Sequence, residues 1–315
     1  MTADDRHLPL PRAERPRARP EVTPGAWLGR TGVAREVRMV PQFARQLECG
    51  DAVITLIAWM QGWRFRVPYP VTDAALRAAT EEADERARLA IDFTSLHVSL
   101  GRLSVVVDPG RATPELRARA GDAVFTPGVL AALGQLGIPR TEVTHVIISH
   151  RHDDHLSGVV LDEAGTTLSY PRARHVMSRL EWEALELDRG RAGRVRRLLE
   201  TAGLVELVEG DHQIAPELTL LHTAGETPGY LSLRVSSAGR AFYWLGDLLH
   251  HHLEFAHPSW GPAGADPVAL EGSRRRLWEV AAREGALVAW AHAAFPGWGR
   301  VERRRGGYGW VPLEG

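Results

Sequence analysis

The run His150-Arg151-His152-Asp153-Asp154-His155 sets three imidazoles and two carboxylates within six residues. It follows Val143-Thr144-His145-Val146-Ile147-Ile148, whose β-branched and aliphatic residues suit a buried strand. A strand that stops at such a cluster puts nitrogen and oxygen donors at the rim of a sheet. There a metal ion can be held while water and substrate keep access. His150 and His152 are two apart, so in extended backbone they point the same way. Asp154 and His155 follow as the chain turns and can face a second point close by. A solvated polar loop is the plainer alternative, but the apolar strand leading straight into the cluster favours the metal.

The same pattern recurs along the chain. Leu103 to Val107 reads as a strand ending in Asp108-Pro109-Gly110, and Ala241 to Asp247 as an apolar strand ending in an acid. Ala286 to Trp290 is a short strand followed by His292, and Leu218 to His222 one that closes on Gly225-Glu226-Thr227-Pro228-Gly229. Polar residues that do chemistry in α/β proteins sit on loops at strand ends.

The run from His150 to His155 resembles the His-x-His-x-Asp-His signature of the metallo-β-lactamase superfamily, and the resemblance extends over most of the chain after about residue 90. It implies an α/β fold, an αββα sandwich of two mixed β-sheets flanked by helices, with a dinuclear metal site along one edge. The signature is specific for fold and metal site and poor at naming substrate, because one fold hosts many chemistries. The layout is also similar to the lactonase and organophosphate-hydrolase branch. It shares a long N-terminal extension, Gly246-Asp247-Leu248-Leu249-His250, and Ala291-His292 followed by Phe295-Pro296-Gly297-Trp298-Gly299.

Assigned by the order of motifs, and as the resemblance implies, His150 and His152 go to a first metal. Asp154, His155 and His292 go to a second, and Asp247 is the bridging carboxylate. Asp108 is expected to support the metal loop from outside, although Asp-Pro-Gly is also an ordinary turn. One position departs from the family, which usually has Gly-His-Thr-Pro-Gly where this chain has Gly225-Glu226-Thr227-Pro228-Gly229. Three outcomes are open, in this order. Glu226 ligates the first metal directly; Glu226 acts from outside and leaves that metal weak; or His222 substitutes. His250 is a candidate pocket residue within the exposed-looking His250-His251-His252 turn, and Trp59, Trp63, Phe255 and Trp260 are candidate pocket walls.

The reaction expected is hydrolysis of a small ester, lactone or thioester by a metal-bound hydroxide. The cofactors would be two divalent ions, zinc first and manganese or iron as alternatives, with Asp154 orienting the nucleophile and carrying a proton. An iron oxygenase of persulfide-dioxygenase type is the alternative within enzymes. A metal-depleted small-molecule binding protein on the same fold is the alternative outside them.

The elements that must position these residues are legible in part. Asp51 to Trp59 and Trp63 to Val67 read as two strands split by Gly62, and residues 73–90 as a helix with Asp73 as N-cap. Phe93 to Leu100 pairs with Leu103 to Val107 around Gly101-Arg102. Helices are expected over 127–139, Glu181 to Leu187, Arg194 to Leu199 and 266–284, with a helix or turn at 156–160. Strands are expected at Arg174 to Ser178 and Leu231 to Val235.

The 315 residues suit one large α/β domain, read as 26–315, behind an Arg- and Pro-rich flexible arm over 1–25. Hydrophobic residues make up 44% and charged residues 24%, as in ordinary globular chains. A net charge of −1 gives no global field for nucleic acid or an anionic membrane, so the expected partner is a small-molecule substrate, with a homodimer left open. No apolar run reaches the roughly 18 residues of a membrane span, and no secretion signal is seen, so a cytoplasmic location follows by default. The chain has no lysine, which excludes a Schiff-base lysine and a Gly-Lys-Ser/Thr phosphate loop. Its single cysteine, Cys49, cannot form an internal disulfide and reads as a small buried residue.

Overall fold

The computed structural model describes residues 42–185 and 190–313, so the expected arm over 1–25 and the end of the helix expected at Glu181 to Leu187 lie outside the described residues. Two mixed sheets stack face to face. In the first, β1 (Ala44–Cys49), β2 (Ala52–Phe65), β3 (Leu89–Leu100) and β4 (Leu103–Val107) run antiparallel. The sheet continues in parallel through β6 (His145–Ile148), β7 (Arg174–Ser178) and β8 (Val205–Val208), while the short β5 (Val124–Phe125) pairs with β2. The second sheet has the order β15 (Gly307–Pro312), β14 (Trp298–Arg304), β13 (Leu287–Ala289), β12 (Arg240–Trp244), β11 (Leu231–Ser237), β10 (Leu218–His222), β9 (His212–Ala215), with only β12 and β13 parallel.

Period-two alternation decides which side chains meet between the sheets. Ile54, Leu56, Leu96, Val98, Val105, Val107 and Ile147 face Leu218, Leu220, Leu233, Phe242 and Trp244 in one apolar layer. The alternate residues, Ile57, Val106, Val146 and Ile148, turn outward against α3 (Gly128–Gln135) and α6 (Arg191–Ala202). On the far side Tyr243, Val288 and Trp290 pack under α7 (Pro267–Glu284). Being buried on both faces, these strands read as continuous apolar runs. Asp266 caps α7 by accepting from the Val268 and Ala269 N–H groups, with Pro267 in the first turn and Gly285 left-handed at the end.

Several expectations need correction. The helix expected over 73–90 is only α1 (Asp73–Ala79). Thr80 is extended, Asp84 accepts from the Arg86 and Arg88 N–H groups in a turn, and Leu89 to Ile91 join β3. The two strands expected around Gly62 are one strand of 14 residues, β2. It absorbs the irregularity as register shifts near Met60, and the Gly62 N–H donates to Asp92 at 2.7 Å. The strand expected over Ala241 to Asp247 stops at Trp244, because the chain turns to bring Asp247 inward. α2 (Pro114–Arg119), β1, β5, β8, β9, β14 and β15 were not anticipated; several are short or edge elements with weak period.

The active edge is fixed by connectivity. β4 and β6 are parallel, as are β12 and β13, so all four end on the same edge of the sandwich. Their last residues lead into Asp108, His150, Asp247 and His292. Backbone bonds tie the sheets there, among them the Leu231 N–H to the Ser149 carbonyl at 3.1 Å and the Thr94 N–H to the Ala291 carbonyl at 2.9 Å.

Close backbone approach behind this edge requires Gly158, where an added Cβ would stand 1.8 Å from the Pro109 carbonyl oxygen. Gly158→Ala is expected to lower stability by about 1–3 kcal/mol. Gly134→Ala, in an exposed helical position with open space, should raise it by about 0.4–1 kcal/mol. Equal melting temperatures for the two variants would contradict the packing described.

Burial also holds His97 and His175 neutral, lowering each to about 4 from 6.5. Above pH 6.5 neither folded nor unfolded chain charges them. As pH falls toward 4, the unfolded chain takes up protons that the folded chain refuses, so stability is lost over that window. His175→Leu should therefore flatten the acid-side fall of the melting temperature, measured in chelator to remove metal effects; an unchanged acid limb would refute this.

Candidate metal centre

Each donor reaches the edge by a different local device. Ser149 and His150 continue β6, and the Ser149 hydroxyl meets His150 Nδ1 at 3.0 Å, leaving Nε2 to face inward. His152 precedes the single-turn α4 (Asp153–Leu156), which carries Asp154 and His155 round to a second face. Gly246 is left-handed (φ +54°), and a Cβ there would stand 2.1 Å from the Tyr230 hydroxyl. That turn drives Asp247 into the interior, its N–H donating to the Tyr230 hydroxyl at 2.5 Å, while the hydroxyl donates to the Leu245 carbonyl at 3.1 Å. His292 is oriented by its Nδ1 on the Asp92 carbonyl at 3.0 Å.

The result is two donor sets that share one carboxylate. His150, His152, Glu226 and Asp247 offer atoms that all lie within 4.8 Å of one another, and so do Asp154, His155, Asp247 and His292. In the first set His150 Nε2 is 2.8 Å from His152 Nδ1 and 3.9 Å from Asp247 Oδ2, and His152 Nδ1 is 3.7 Å from Glu226 Oε1. In the second, Asp247 Oδ1 lies 3.1 Å from His155 Nε2 and 3.2 Å from His292 Nε2. Asp154 Oδ2 is 3.4 Å from His155 Nε2 and 3.6 Å from His292 Nε2.

These residues fit a pair of cations. Asp247 Oδ1, His155 Nε2 and Glu226 Oε2 are buried and have no hydrogen-bond partner among the described residues. Buried polar atoms are normally satisfied, and convergent unsatisfied donors of nitrogen and carboxylate type are what a divalent ion completes. Electrostatics say the same. Burial, then His155 and His152, hold His150 well below its ordinary value. Burial opposes charge on His155 too, but Asp247, Asp154 and Asp108 outweigh it and raise it well above. Burial works against Asp247 as an anion, yet His155 and His292 keep it well below the carboxylate range. Burial pushes Glu226 up to about 7, with His250 opposing and Asp247 adding.

The surrounding shell was only partly foreseen. Asp108 stands where expected: Oδ1 accepts from the Ser149 N–H at 2.8 Å and Oδ2 faces His155 Nδ1 at 3.2 Å. His222 does not join either set; its Nε2 meets the Pro228 carbonyl at 2.8 Å, which sets aside substitution for Glu226. His250 borders the centre, Nε2 lying 3.6 Å from Asp247 Oδ2 and its ring stacked on His292. His251 and His252 turn away to Glu82, each at 3.1 Å. Of the four aromatic residues considered as walls, Trp59 and Trp63 reach Phe93, whose ring meets that of His292 at 4.4 Å. Phe255 packs on Trp278 instead, in the core under α7, and Trp260 on Tyr69 and His257 in another core cluster.

Three supports were missed. Glu181, fully buried, accepts from the Arg151 N–H, the Arg151 guanidinium and the Gly229 N–H, so it joins the His150–His152 loop to the Glu226 loop. Tyr230 positions Asp247, as above. Glu254 accepts from the His250 N–H, the Tyr69 hydroxyl and buried Arg274, which also binds the Leu248, Pro258 and Trp260 carbonyls. An isolated acid or tyrosine carries no sequence signal for such long-range partners; only the placement of Tyr230 just after Pro228-Gly229 pointed at the site.

A family model described as the metallo-beta-lactamase superfamily matches residues 98–292. An N-acyl homoserine lactonase of Bacillus cereus is 24% identical over 164 residues, covering 52% of this chain and 61% of the relative. One of a Bacillus species is 26% identical over the same span. The chain thus spans about three fifths of the length of these curated relatives. Among solved structures, AidC, a dizinc quorum-quenching lactonase in complex with a product, superposes with a TM-score of 0.72 at 19% identity, covering 86% of this chain and 97% of that one. A probable metal-dependent hydrolase from Staphylococcus aureus gives 0.71 at 16%, covering 85% and 99%. At these identities the structural likeness is one of fold.

Asp108 should matter for cation retention without touching a cation. Asp108→Asn is expected to weaken zinc binding by about 10–100-fold, read as metal content after dialysis against a graded chelator. Retention equal to that of the unmodified protein would show that the Asp108–His155 contact orients nothing.

Proposed function

The chain belongs to the metallo-beta-lactamase superfamily, and on that premise we propose that it is a metal-dependent hydrolase of small lactones or esters, thioesters included. The observation that carries this reading is the pair of convergent donor sets sharing Asp247 at one edge of the sandwich. The curated relatives being N-acyl homoserine lactonases supports a lactone as the substrate class to test first.

In this reading His150, His152, Glu226 and Asp247 hold one cation, and Asp154, His155, His292 and Asp247 the other. Zinc is the first choice and manganese or iron the alternatives. When bound, two such ions supply Lewis acidity and a water acidic enough to attack a carbonyl near neutral pH. The protein's own contribution is directional. His150, His155, Asp247 and His292 are buried, so the site opens on the side of His152, whose side chain is 46% exposed, and Asp154, at 26%. A substrate therefore enters past His152 and Asp154. Asp154 is the one carboxylate of the group in partial contact with solvent. It is placed to orient the attacking oxygen and to pass a proton to the departing alkoxide as the lactone ring opens. Phe93, edge-on to His292, and the adjoining Trp59 and Trp63 give one flank an apolar lining suited to an acyl chain.

A panel of N-acyl homoserine lactones, aryl esters and thioesters tests the proposal. Turnover is expected to vanish after chelation and to return with zinc, manganese or iron. Asp154→Ala, with metal content checked, should cost about 10²–10⁴ in kcat. No turnover across the panel by protein carrying two ions per chain would reject it.

A further inference from the structure

The two donor sets have the same composition. One offers two imidazoles (His150, His152), a carboxylate of its own (Glu226) and the shared Asp247; the other offers two imidazoles (His155, His292), its own Asp154 and the shared Asp247. Glu226 makes them match. It is buried to 4% exposure, Oε2 has no hydrogen-bond partner among the described residues, and Oε1 lies 3.7 Å from His152 Nδ1. The buried guanidinium of α7, Arg274, is already taken by Glu254 and three backbone carbonyls. A buried carboxylate with an open oxygen is costly unless a cation completes it.

Charge counting gives the consequence. Three carboxylates (Asp154, Glu226, Asp247) facing two divalent ions leave a formal charge of +1, whereas an imidazole at 226 would leave +2. Oxygen donors suit harder ions, so an added carboxylate favours Mn²⁺ and Fe²⁺ in a seat that would otherwise be rich in nitrogen. We propose that Glu226 equalises the two seats, so that both accept oxygen-preferring divalent cations such as Mn²⁺ with matched affinity. This rests on the metal-dependent reading above, and goes beyond it in assigning seat selectivity to one residue.

The test is a Mn²⁺ titration without substrate, following the free-ion electron paramagnetic resonance signal, with a parallel Zn²⁺ titration by calorimetry. All proteins carry His252→Ala, which disables the outlying Glu82, His251 and His252 cluster so that only the central seats are counted. The parent should take up two Mn²⁺ in one phase. Glu226→His should still bind two Zn²⁺, but its second Mn²⁺ should weaken by at least about tenfold. Glu226→Gln, which keeps the size and loses the charge, should show the same loss for Mn²⁺ and guards against misfolding of the histidine variant. Variants that titrate like the parent, or a parent whose two Mn²⁺ equivalents differ by more than about tenfold in affinity, would overturn the equalising role and leave the hydrolase reading standing. A parent that binds neither ion would overturn both.

Discussion

The structure turns on Asp247, a carboxylate sunk between two sheets and approached by imidazoles from both. His155 and His292 stand 3.1 and 3.2 Å from one of its oxygens, and His150 and His250 lie 3.9 and 3.6 Å from the other. Such a group is costly to bury alone, and its partners come from β6, from α4 and from the end of β13. The sandwich must therefore close before the array exists. The apolar layer between the sheets holds the strand ends in register, and the array occupies the edge left by that packing.

What the array can hold depends on how its imidazoles and carboxylates are aimed. One nitrogen each of His150 and His292 is hydrogen-bonded, by Ser149 and the Asp92 carbonyl, and Nδ1 of His155 faces the Asp108 carboxylate at 3.2 Å. The other nitrogen is thereby aimed inward. Tyr230 holds the Asp247 backbone, Glu181 couples the two loops of one donor set, and the Glu254–Arg274 pair fixes the loop behind His250. Those contacts fix the loops around the inward-facing atoms, of which His155 Nε2, Asp247 Oδ1 and Glu226 Oε2 have no hydrogen-bond partner among the described residues.

Much of this was legible in the residues. The strand running into His150 to His155, and the recurrence of acid or histidine at strand ends, announced both the edge and the donor residues gathered there, because period-two apolar runs are strong signals and those residues follow them directly. Asp108, Asp154, Glu226, Asp247 and His292 all arrive at one place. The sequence was weaker where tertiary contacts overrule local preference. Residues 80–90 are rich in helix formers, yet Asp84 builds a turn and Leu89 pairs with Phe65. His222 has the right type at a strand end, but its ring is spent on the Pro228 carbonyl. Glu181 and Glu254 look like surface charges on paper and are buried fasteners in the fold, since their partners lie on distant segments.

The central claim is that both donor sets around Asp247 are cation seats. Crystals of the full chain grown with zinc or manganese, measured on either side of the metal absorption edge, address it most directly. The account predicts two anomalous peaks flanking Asp247, one contacted by His150, His152 and Glu226 and the other by Asp154, His155 and His292. A single peak, or peaks only at the protein surface, would contradict it.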